Sequence, residues 1–383
     1  MRIGIVTQCY YPRFGGIAEH VHATARELRR RGHEVTVIAG FYGYGERGPR
    51  NGVLRLGWNV VVPYNGAAAE VTIGLALKGQ LRRAFRELDL DLVHIHSPNA
   101  PTLPLFAAQV SDRPMVGTFH CTGGRTRLQD FFQSLVSRAM NRLDARIAVS
   151  NTARATAELY DPGSYDVIPN GVDVDRFHPL VPAFERWRDP AITNVLFVGR
   201  LDPRKGVQDL VSAMPEVVER SHGRVRLLVV GDSCLRPRIE AAVPVGVRKH
   251  VHFLGHVPCA DLPRWYATGD IFCSPATGNE SFGIVLIEAM AAGRALVCSD
   301  IPGYRSVVTP HRDAEVFPPG DVPALAQVLT ELVRNRAHRD QLARAGRRRA
   351  LDFAWPAVVD RIEEVYRRVA DRRTLELSDS PAA

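Results

Sequence analysis

The chain has 383 residues, of which 45% are hydrophobic and 23% are charged. This length exceeds what one hydrophobic core usually serves, and the composition is that of a folded protein, so a single small module and a disordered chain are both excluded. The 49 lysines and arginines against 41 aspartates and glutamates give a formal net charge of +8. That charge favours an anionic partner, which can be a nucleotide, a phosphorylated substrate, a nucleic acid or an acidic membrane surface.

The cysteines and the apolar runs indicate the cellular compartment and the kind of membrane contact to expect. The six cysteines are scattered without a pair or a Cys/His cluster at metal-ligand spacing, so we expect a reducing, cytoplasmic compartment. The first apolar run, Ile3 to Val6, is too short for the apolar region of a signal peptide. Because no stretch of about 18 apolar residues occurs, we expect any membrane contact to be peripheral.

Short apolar, β-branched runs alternate with helical patterns along the chain, which is typical of parallel strands covered on both faces by helices. The pattern predicts an α/β protein with two Rossmann-like, doubly wound domains that face each other across a cleft. In the first half, the predicted strands are residues 2–9, 34–39, 92–96, 115–120, 146–150 and 166–168. In the second half, they are residues 195–199, 226–231, 251–254, 271–274, 295–299 and 315–317.

Paired glycines, Gly15 and Gly16, follow the first predicted strand and precede an amphipathic helix with Val21, Ala25 and Leu28 on one face. Glycine lets a phosphate approach the backbone closely, and the N–H groups at a helix start favour negative charge. The order of the glycines is not G-x-G-x-x-G, so a plain strand-to-helix turn explains this motif equally well.

The segment from Val71 to Leu88 alternates apolar and basic residues at helical spacing. Such a helix can lie on anionic lipid. An ordinary outer helix with a wet basic face explains the pattern as well. The cations of the predicted membrane contact are Lys78, Arg82, Arg83 and Arg86.

Three histidines stand near the ends of two predicted strands. His120 ends the strand 115–120, at the carboxyl edge where ligands of doubly wound sheets bind, so we expect it to project into the crevice between the domains. A structural role is the ordinary alternative for a single histidine. We predict that His94 and His96 point to opposite sides of one strand, with His94 in the core and His96, beside Asn99, as a weaker ligand candidate.

Turn formers and prolines at residues 169–173 and 179–182 indicate a linker. We place the boundary at His178, which gives domains of residues 1–178 and 179–355. The last periodic segment, residues 356–373, predicts an amphipathic helix that packs back on the N-terminal domain. The short polar tail from Thr374 onward is expected to fray.

Residues 199–206 bring Arg200, Arg204 and Lys205 together in one turn between a strand and a helix. Guanidinium and ammonium groups above a helix start can neutralise a diphosphate leaving group without a metal. A solvated basic turn is the plainer alternative for this segment considered alone.

Residues 278–293 carry the strongest local signal. Helix formers run from Ile284 to Ala292, which puts Ser281 to Gly283 at the helix start, where backbone amides bind an anion. Glu280 lies just before the helix and Glu288 about two turns inside it, so the two carboxylates can reach different parts of one ligand. Alternatively, Glu280 caps the helix and Glu288 is a solvated residue on its outer face.

In their order and spacing, these motifs resemble family 4 of the retaining nucleotide-sugar glycosyltransferases, which have the GT-B fold. The resemblance extends from Met1 to about Val369 and includes the Asn-Gly-Val-Asp sequence at residues 170–173. Within the family, the chain is most similar in appearance to bacterial phosphatidylinositol mannosyltransferases. The matching segments are residues 1–4, 63–66, 94–101, 118–120 and 280–293.

The resemblance implies a set of site residues. Arg200 and Lys205 would bind the donor diphosphate, Glu288 would contact the nucleotide ribose, and His120 and Glu280 would be the catalytic residues. Gly16 would approach the diphosphate from the other domain. The complete implied donor site is Gly16, Arg200, Lys205, Glu280, Ser281, Phe282, Gly283, Ile284 and Glu288, and the implied acceptor site is Gly15, His96 and Asn99.

The resemblance also implies a reaction. A sugar, with mannose from GDP-mannose favoured, would move with retained configuration to a lipid-linked or polyol acceptor such as phosphatidylinositol, at the inner face of the plasma membrane. No metal and no cofactor are expected, and the basic residues lack the interleaved aromatics of a nucleic-acid binder.

Two other functions stay open. The phosphatidylinositol enzymes carry basic residues shortly after the Pro-Tyr-Asn-Gly sequence, where this chain has Ala67 to Thr72. The acceptor is therefore alternatively a soluble sugar or sugar phosphate, with a UDP-sugar as donor. A nucleotide or sugar binding module without catalysis is the alternative from another class.

Overall fold

A computed structural model describes residues 1–13, 15–43, 51–64, 67–123 and 133–378. The chain divides into two compact units, one of Met1–Asn170 with Trp355–Ala383 and the other of Gly171–Ala354, which we call the N-terminal and C-terminal units. The boundary falls earlier than the predicted one at His178. Phe177 is buried in a core cluster of the C-terminal unit, and the Val172 N–H donates to the carbonyl O of Phe353 at 2.8 Å.

The described part of the N-terminal unit contains one sheet of eight strands. They are β1 (Arg2–Thr7), β2 (Glu34–Phe41), β3 (Val53–Tyr64), β4 (Ala67–Ile73), β5 (Leu92–His96), β6 (Met115–Phe119), β7 (Ala145–Ala148) and β8 (Asp166–Val167). Their order is β4-β3-β2-β1-β5-β6-β7-β8, and all pairs are parallel except β3 with β4. The order of the strands reverses between β1 and β5. The helices that follow these strands are α1 (Gly16–Arg30), α2 (Leu77–Glu87), α3 (Leu103–Val110), α4 (Gln133–Met140) and α5 (Asn151–Glu158).

The C-terminal unit contains a fully parallel sheet of six strands, all within described residues. They are β9 (Thr193–Val198), β10 (Val225–Val230), β11 (Val251–Gly255), β12 (Ile271–Ser274), β13 (Ala295–Ser299) and β14 (Glu315–Phe317). The order β11-β10-β9-β12-β13-β14 is that of a Rossmann sheet, with the reversal between β9 and β12. The helices are α6 (Val207–Arg220), α7 (Arg236–Ala241), α8 (Leu262–Thr268), α9 (Ile284–Ala291), α10 (Pro302–Arg305), α11 (Val322–Arg334) and α12 (Arg336–Ala350). The predicted class, an α/β protein with two doubly wound sheets, is confirmed.

The last helix, α13 (Trp355–Ser378), belongs to the N-terminal unit. Its apolar face, including Ile362 and Tyr366, is buried in the same core cluster as β1 and α1. The helix does not end near residue 373 as predicted, because the segment 374–378 contains neither glycine nor proline and the helix continues through it. The predicted fraying from Thr374 is therefore wrong as far as residue 378, and residues 379–383 lie outside the described part.

Strands β3 and β4 are absent from the predicted strands, and the predicted basic helix begins too early. Val71 lies in β4, where it pairs with Val60 of β3, and α2 begins only at Leu77. The valines of β3 and the Asn65-Gly66 pair are typical strand and hairpin signals in the sequence, but Pro63 and the alanines of β4 obscured the pattern.

Within the ranges given above, no helix combines the length and the apolar composition needed to cross a bilayer.

Candidate functional site

Two loops of the C-terminal unit meet where the order of its strands reverses. β9 leads into residues 199–206 and β12 into residues 275–283, and the two strands are direct neighbours in the sheet. The N–H of Thr277 in the second loop donates to the carbonyl O of Arg204 in the first, at 2.9 Å. Doubly wound sheets bind ligands at the carboxyl edge beside such a reversal. The structure therefore brings together the two motifs that the sequence singled out for the donor.

An ion pair joins the loops. The Nζ of Lys205 lies 2.7 Å from the Oε1 of Glu280, and the two side chains are only 20% and 12% exposed. The N-cap residue of α9 is Gly283 and the Glu280 carboxylate pairs with Lys205, so the structure does not support the alternative in which Glu280 caps this helix. The ammonium group of Lys205 is thus fixed near the start of α9, where an anion is also favoured.

A second carboxylate holds the arginines of the first loop. The Oδ2 of Asp202 lies 2.9 Å from an Nη of Arg200 and 3.6 Å from an Nη of Arg204. Arg204 also donates to the carbonyl O of Asn279 at 3.3 Å, so it links the two loops, whereas the Arg200 side chain remains 53% exposed. Asp202 was not predicted as a site residue, although it stands inside the basic motif.

Glycines let the loops pack backbone against backbone. Gly206 has a φ of +67°, and a Cβ there would lie 1.8 Å from the carbonyl O of Pro275. A Cβ on Gly303, in α10, would lie 1.8 Å from the carbonyl O of Glu280. Because any side chain would collide with backbone, the placement of Glu280 depends on glycine at position 303.

The start of α9 is built from residues 281–284. Gly283 has a φ of +96°, and a Cβ there would lie 2.7 Å from the Tyr304 ring. The Phe282 side chain is 1% exposed and packs against Phe353, with ring centroids 5.8 Å apart. The Phe282 side chain therefore belongs to the core, and the prediction that Phe282 binds the donor concerns its backbone. The first N–H groups of α9, including that of Ile284, have no partner within the helix, so they are placed to bind an anion.

Glu288 is oriented by a buried tyrosine of α8. The Tyr266 hydroxyl donates to the Oε2 of Glu288 at 2.7 Å. Burial and the neighbouring carboxylate raise the pKa of Tyr266 well above its ordinary value, so the phenol stays protonated and keeps donating. The alternative in which Glu288 is a solvated face residue is wrong. Tyr266 was missed because it stands 22 residues away without a local motif.

The N-terminal unit presents its own candidates at the corresponding edge. Gly15 and Gly16 are exposed at the start of α1, and no atom lies within 4 Å of a Cβ placed on Gly15. Asn99 is partly exposed in the turn after β5, and His120 directly follows β6. Because β1, β5 and β6 are adjacent, these residues lie along one edge of the sheet at its reversal.

Four histidines gather behind that edge. The His96 Nδ1 lies 2.8 Å from the His120 Nε2, and the His20 Nδ1 donates to the Asn170 Oδ1 at 2.8 Å. His94 has a hydroxyl at each ring nitrogen, 2.6 Å away in both cases, from Tyr366 and Thr118. We call His20, His94, His96 and His120 the histidine cluster.

Two expectations about this cluster are corrected. The rings of His94 and His96 are 4.3 Å apart on the same face of β5, because residues two apart in a strand share a face. His96 is 1% exposed and contacts His120, so its assignment to acceptor binding is wrong, whereas His120 is 7% exposed. His20 was not predicted as part of any site.

Burial lowers the pKa of every member of the histidine cluster. The pKa falls to about 4 for His20 and to about 3 for His94, and it lies well below the ordinary value for His96 and His120. Each imidazole is therefore neutral near pH 7, with one donor and one acceptor nitrogen. Among the residues that the structure describes, no group of three or more histidine, cysteine, aspartate or glutamate side chains could hold a metal ion.

The helix α2 is amphipathic as expected, but only its basic face is exposed to solvent. Leu77, Leu81 and Phe85 are buried in a core cluster with β5 and α3, so the apolar face is covered by the protein itself. The cations of the other face are exposed, and they are Lys78, Arg82, Arg83 and Arg86.

An exposed apolar surface lies on the hairpin of β3 and β4, next to α2. Trp58 is 50% exposed and pairs with the exposed Ile73 across the strands, and Val60 and Val62 alternate with it along β3. Side chains two apart share a face, so these residues form one strip.

Each of the two units matches a known protein family. A family described as Glycosyltransferase Family 4 matches residues 14–176, and one described as Glycosyl transferases group 1 matches residues 192–335. A phosphatidyl-myo-inositol mannosyltransferase of Mycobacterium leprae (strain TN) is 35% identical over 377 residues, covering 97% of this chain and 97% of its own. A GDP-mannose-dependent alpha-mannosyltransferase of Mycobacterium tuberculosis (strain CDC 1551 / Oshkosh) is 31% identical over 396 residues, covering 98% of this chain and 99% of its own.

A solved structure with a similar fold is Anabaena HepE in complex with UDP. Its TM-score is 0.75 at 18% sequence identity, and the match covers 96% of this chain and 100% of that chain. At this identity the likeness concerns the fold, and it confirms the GT-B fold expected from the motifs.

Proposed function

The chain belongs to glycosyltransferase family 4, and on this basis we propose that it transfers mannose from GDP-mannose to a lipid-linked or polyol acceptor, such as phosphatidylinositol, at the cytoplasmic face of a membrane. The enzyme class, a glycosyltransferase, is confirmed by the family matches and the relatives. The observation that carries the proposal is the meeting of Lys205, Glu280 and the start of α9 at the reversal of a Rossmann sheet.

The donor diphosphate binds at the two joined loops of the C-terminal unit. Lys205 and the exposed Arg200 supply fixed positive charge, and the start of α9 supplies N–H groups. These groups stabilise the charge that develops on the diphosphate as the sugar leaves, so the protein's own cations perform the neutralisation and the reaction is metal-independent.

The two glutamates bind different parts of the donor. Glu288, held by Tyr266, accepts hydrogen bonds from the ribose hydroxyls. Glu280 accepts hydrogen bonds from hydroxyls of the donor sugar, and its ion pair with Lys205 orients the ammonium group. A carboxylate is suited to both tasks because it accepts several hydrogen bonds at once.

The sugar is transferred with retained configuration. The bond between the anomeric carbon and the diphosphate oxygen breaks, and a bond from the same carbon to the acceptor oxygen forms on the same face. The acceptor hydroxyl proton passes to the departing diphosphate oxygen. His120, a neutral imidazole, hydrogen-bonds the transferred sugar or the acceptor, which Gly15 and Asn99 help to bind.

Membrane attachment is peripheral and occurs through the N-terminal unit. The exposed cations of α2 attract anionic headgroups, each contributing about 1 kcal/mol near the surface. The exposed strip of Trp58, Val60, Val62 and Ile73 on the neighbouring hairpin contributes apolar contact. Both contacts leave the buried face of α2 in the core.

A soluble acceptor with a UDP-sugar donor is the second candidate. It is favoured by the covered apolar face of α2, which removes one means of membrane insertion. It is also favoured by Glu70, which follows the hairpin turn and adds a negative charge there, because this charge disfavours a phosphorylated lipid headgroup.

The deciding experiment incubates the protein with GDP-mannose, UDP-glucose and other nucleotide sugars, each with phosphatidylinositol vesicles or with soluble sugars. Mass spectrometry identifies the product, and its anomeric configuration is determined by NMR. Mannosylated phosphatidylinositol made from GDP-mannose in the presence of a chelator supports the proposal. A product formed only from a UDP-sugar and a soluble acceptor supports the second candidate, and donor binding without turnover contradicts both.

A further inference from the structure

His96 is buried directly behind His120, and it has one hydrogen-bond partner. Its Nδ1 lies 2.8 Å from the His120 Nε2, and the two rings are inclined by only 23°. The Nε2 of His96 is buried and has no hydrogen-bond partner among the described residues. Among the described residues, the contact with His120 is therefore the only hydrogen bond of the His96 side chain.

This arrangement decides which ring donates. If the His120 Nε2 carried the proton, His96 would have to accept at Nδ1 and carry its own proton on the buried Nε2. A buried N–H without an acceptor is rarer and more costly than an unpaired lone pair. The favoured state is therefore the one in which the His96 Nδ1–H donates, and a neutral His120 then carries its single proton on Nδ1.

The rest of the histidine cluster holds the His96 ring in place. His20, fixed by Asn170, presents its ring edge-on to both His96 and His120, with centroids 5.3 and 5.1 Å away. His94, fixed by Tyr366 and Thr118, lies beside His96, with ring centroids 4.3 Å apart and planes inclined by 35°. His96 is thus confined on two sides, so its Nδ1 remains directed at His120.

We propose that His96 is the positioning residue of His120, and that it fixes the His120 ring as the neutral tautomer whose proton is on Nδ1. This inference rests on the proposed function only in one respect, that the Nδ1–H of His120 donates to an oxygen of the sugar or acceptor. His120 then acts as a hydrogen-bond donor and not as the base that removes the acceptor proton, which agrees with transfer of that proton to the diphosphate.

The first test reads the tautomer without any substrate. Protein labelled with ¹⁵N-histidine is examined by long-range ¹H–¹⁵N NMR, and the His120 signals are assigned from their loss in His120→Gln. We expect the free protein to show the proton of His120 on Nδ1. A proton on Nε2, or a charged ring near pH 7, overturns the proposal.

The second test uses a pair of variants at one position. In His96→Asn, the side-chain amide nitrogen takes the place of Nδ1 and keeps the donor, whereas His96→Leu removes it. We expect His96→Leu to lose the Nδ1–H tautomer of His120 and to lower kcat by about 10-fold or more, as loss of an orienting partner does elsewhere, with KM for the donor unchanged. We expect His96→Asn to keep the tautomer and most of the kcat.

Thr118→Val is the matched control, because it removes a partner of His94 in the same cluster without touching the contact between His96 and His120. A fall in stability with an unchanged His120 tautomer is the expected result. If Thr118→Val shifts the tautomer as much as His96→Leu does, or if His96→Asn and His96→Leu behave alike, the positioning role of His96 is wrong. Because the spectra need no substrate, absence of mannosyl transfer would contradict the proposed function and leave this test intact.

Discussion

The ammonium group of Lys205 and the carboxylate of Glu280, 2.7 Å apart, join two loops that follow β9 and β12, strands with two other strands between them in sequence. Both side chains are largely buried, and a partly buried ion pair is maintained only when its geometry is good and other contacts support it. Here the support comes from the contact of Gly206 with Pro275 and of Gly303 with Glu280. The pair makes the position of one positive charge depend on the position of one carboxylate.

Lys205→Gln should weaken binding of the nucleotide sugar by about 10- to 100-fold, the usual cost of losing a hydrogen bond to a charged group. Calorimetric titration with GDP-mannose and with GDP measures the dissociation constants. Lys249→Gln makes the same change in charge at an exposed lysine of the same unit, and its affinity should match that of the unmodified protein. Equal affinities for the two variants would remove Lys205 from the donor site.

Glu288→Gln should also weaken nucleotide binding by about 10-fold or more, because an amide offers fewer acceptor sites to the ribose hydroxyls. Tyr266→Phe should have a smaller effect in the same direction, since it removes only the group that orients the carboxylate. Both effects are measured as dissociation constants for GDP. Glu216→Gln, at a partly exposed position on α6, is the control, and an unchanged affinity in Glu288→Gln would contradict the ribose contact.

Gly303→Ala should lower the free energy of unfolding by about 1–3 kcal/mol, because the new Cβ would lie 1.8 Å from the carbonyl O of Glu280. Donor affinity should fall together with stability, since Glu280 must move. Urea unfolding and calorimetry measure the two quantities. Gly246→Ala is the control because no atom lies within 4 Å of a Cβ there, and it should change neither.

The histidine cluster should make stability depend on pH. Burial lowers the pKa of His20 to about 4 and of His94 to about 3, below the ordinary value of 6.5. The unfolded chain therefore binds protons below pH 6.5 that the folded chain excludes. The free energy of unfolding therefore has its full value above pH 6.5. It decreases as the pH falls towards the pKa values of the folded state, by about 1.4 kcal/mol per pH unit for each such histidine.

Urea unfolding between pH 7.5 and pH 5 tests this expectation. His94→Gln should make the decrease less steep by about 1.4 kcal/mol per pH unit, because one buried imidazole is gone. The same substitution at the exposed His222 serves as the comparison. A slope that stays the same in His94→Gln would show that burial does not exclude the proton from this ring.

Replacing Lys78, Arg82, Arg83 and Arg86 with serine should abolish most binding to vesicles that contain phosphatidylserine, because about 1 kcal/mol is lost per cation. Co-sedimentation at low and high salt measures it, and salt should weaken binding of the unmodified protein. Serine at Lys249, Arg336, Arg344 and Arg348 removes the same charge from exposed positions of the C-terminal unit. If the two variants bind vesicles equally, net charge and not α2 is responsible.

Most strands of the two sheets were predictable, because a parallel strand buried on both faces is a short apolar run that little else resembles. β5 and β12 match their predicted bounds at residues 92–96 and 271–274. β3 and β4 were not predicted, because an antiparallel hairpin at the edge of a sheet has one solvent-exposed face and this hairpin also contains a proline and several alanines. The contrast shows that burial on both faces, not strand formation itself, produces the strong signal.

The candidate site was predictable where its residues are close in sequence to a strand end. Arg200, Lys205, Glu280 and Glu288 stand in motifs of this kind, and the structure places them beside one reversal of strand order. The contacts that fix them were not predictable. Tyr266 reaches Glu288 from another helix.

The sequence by itself determined the class of fold, the succession of strands and helices, and the chemical types of side chain at each carboxyl edge, because these depend on local periodicity and on turn residues. Only the tertiary structure decided which carboxylate pairs with Lys205, that His96 faces His120 and not an acceptor, and that the apolar face of α2 is covered. Those outcomes depend on packing between elements distant in sequence, and no local pattern of residues specifies the distance between two such side chains.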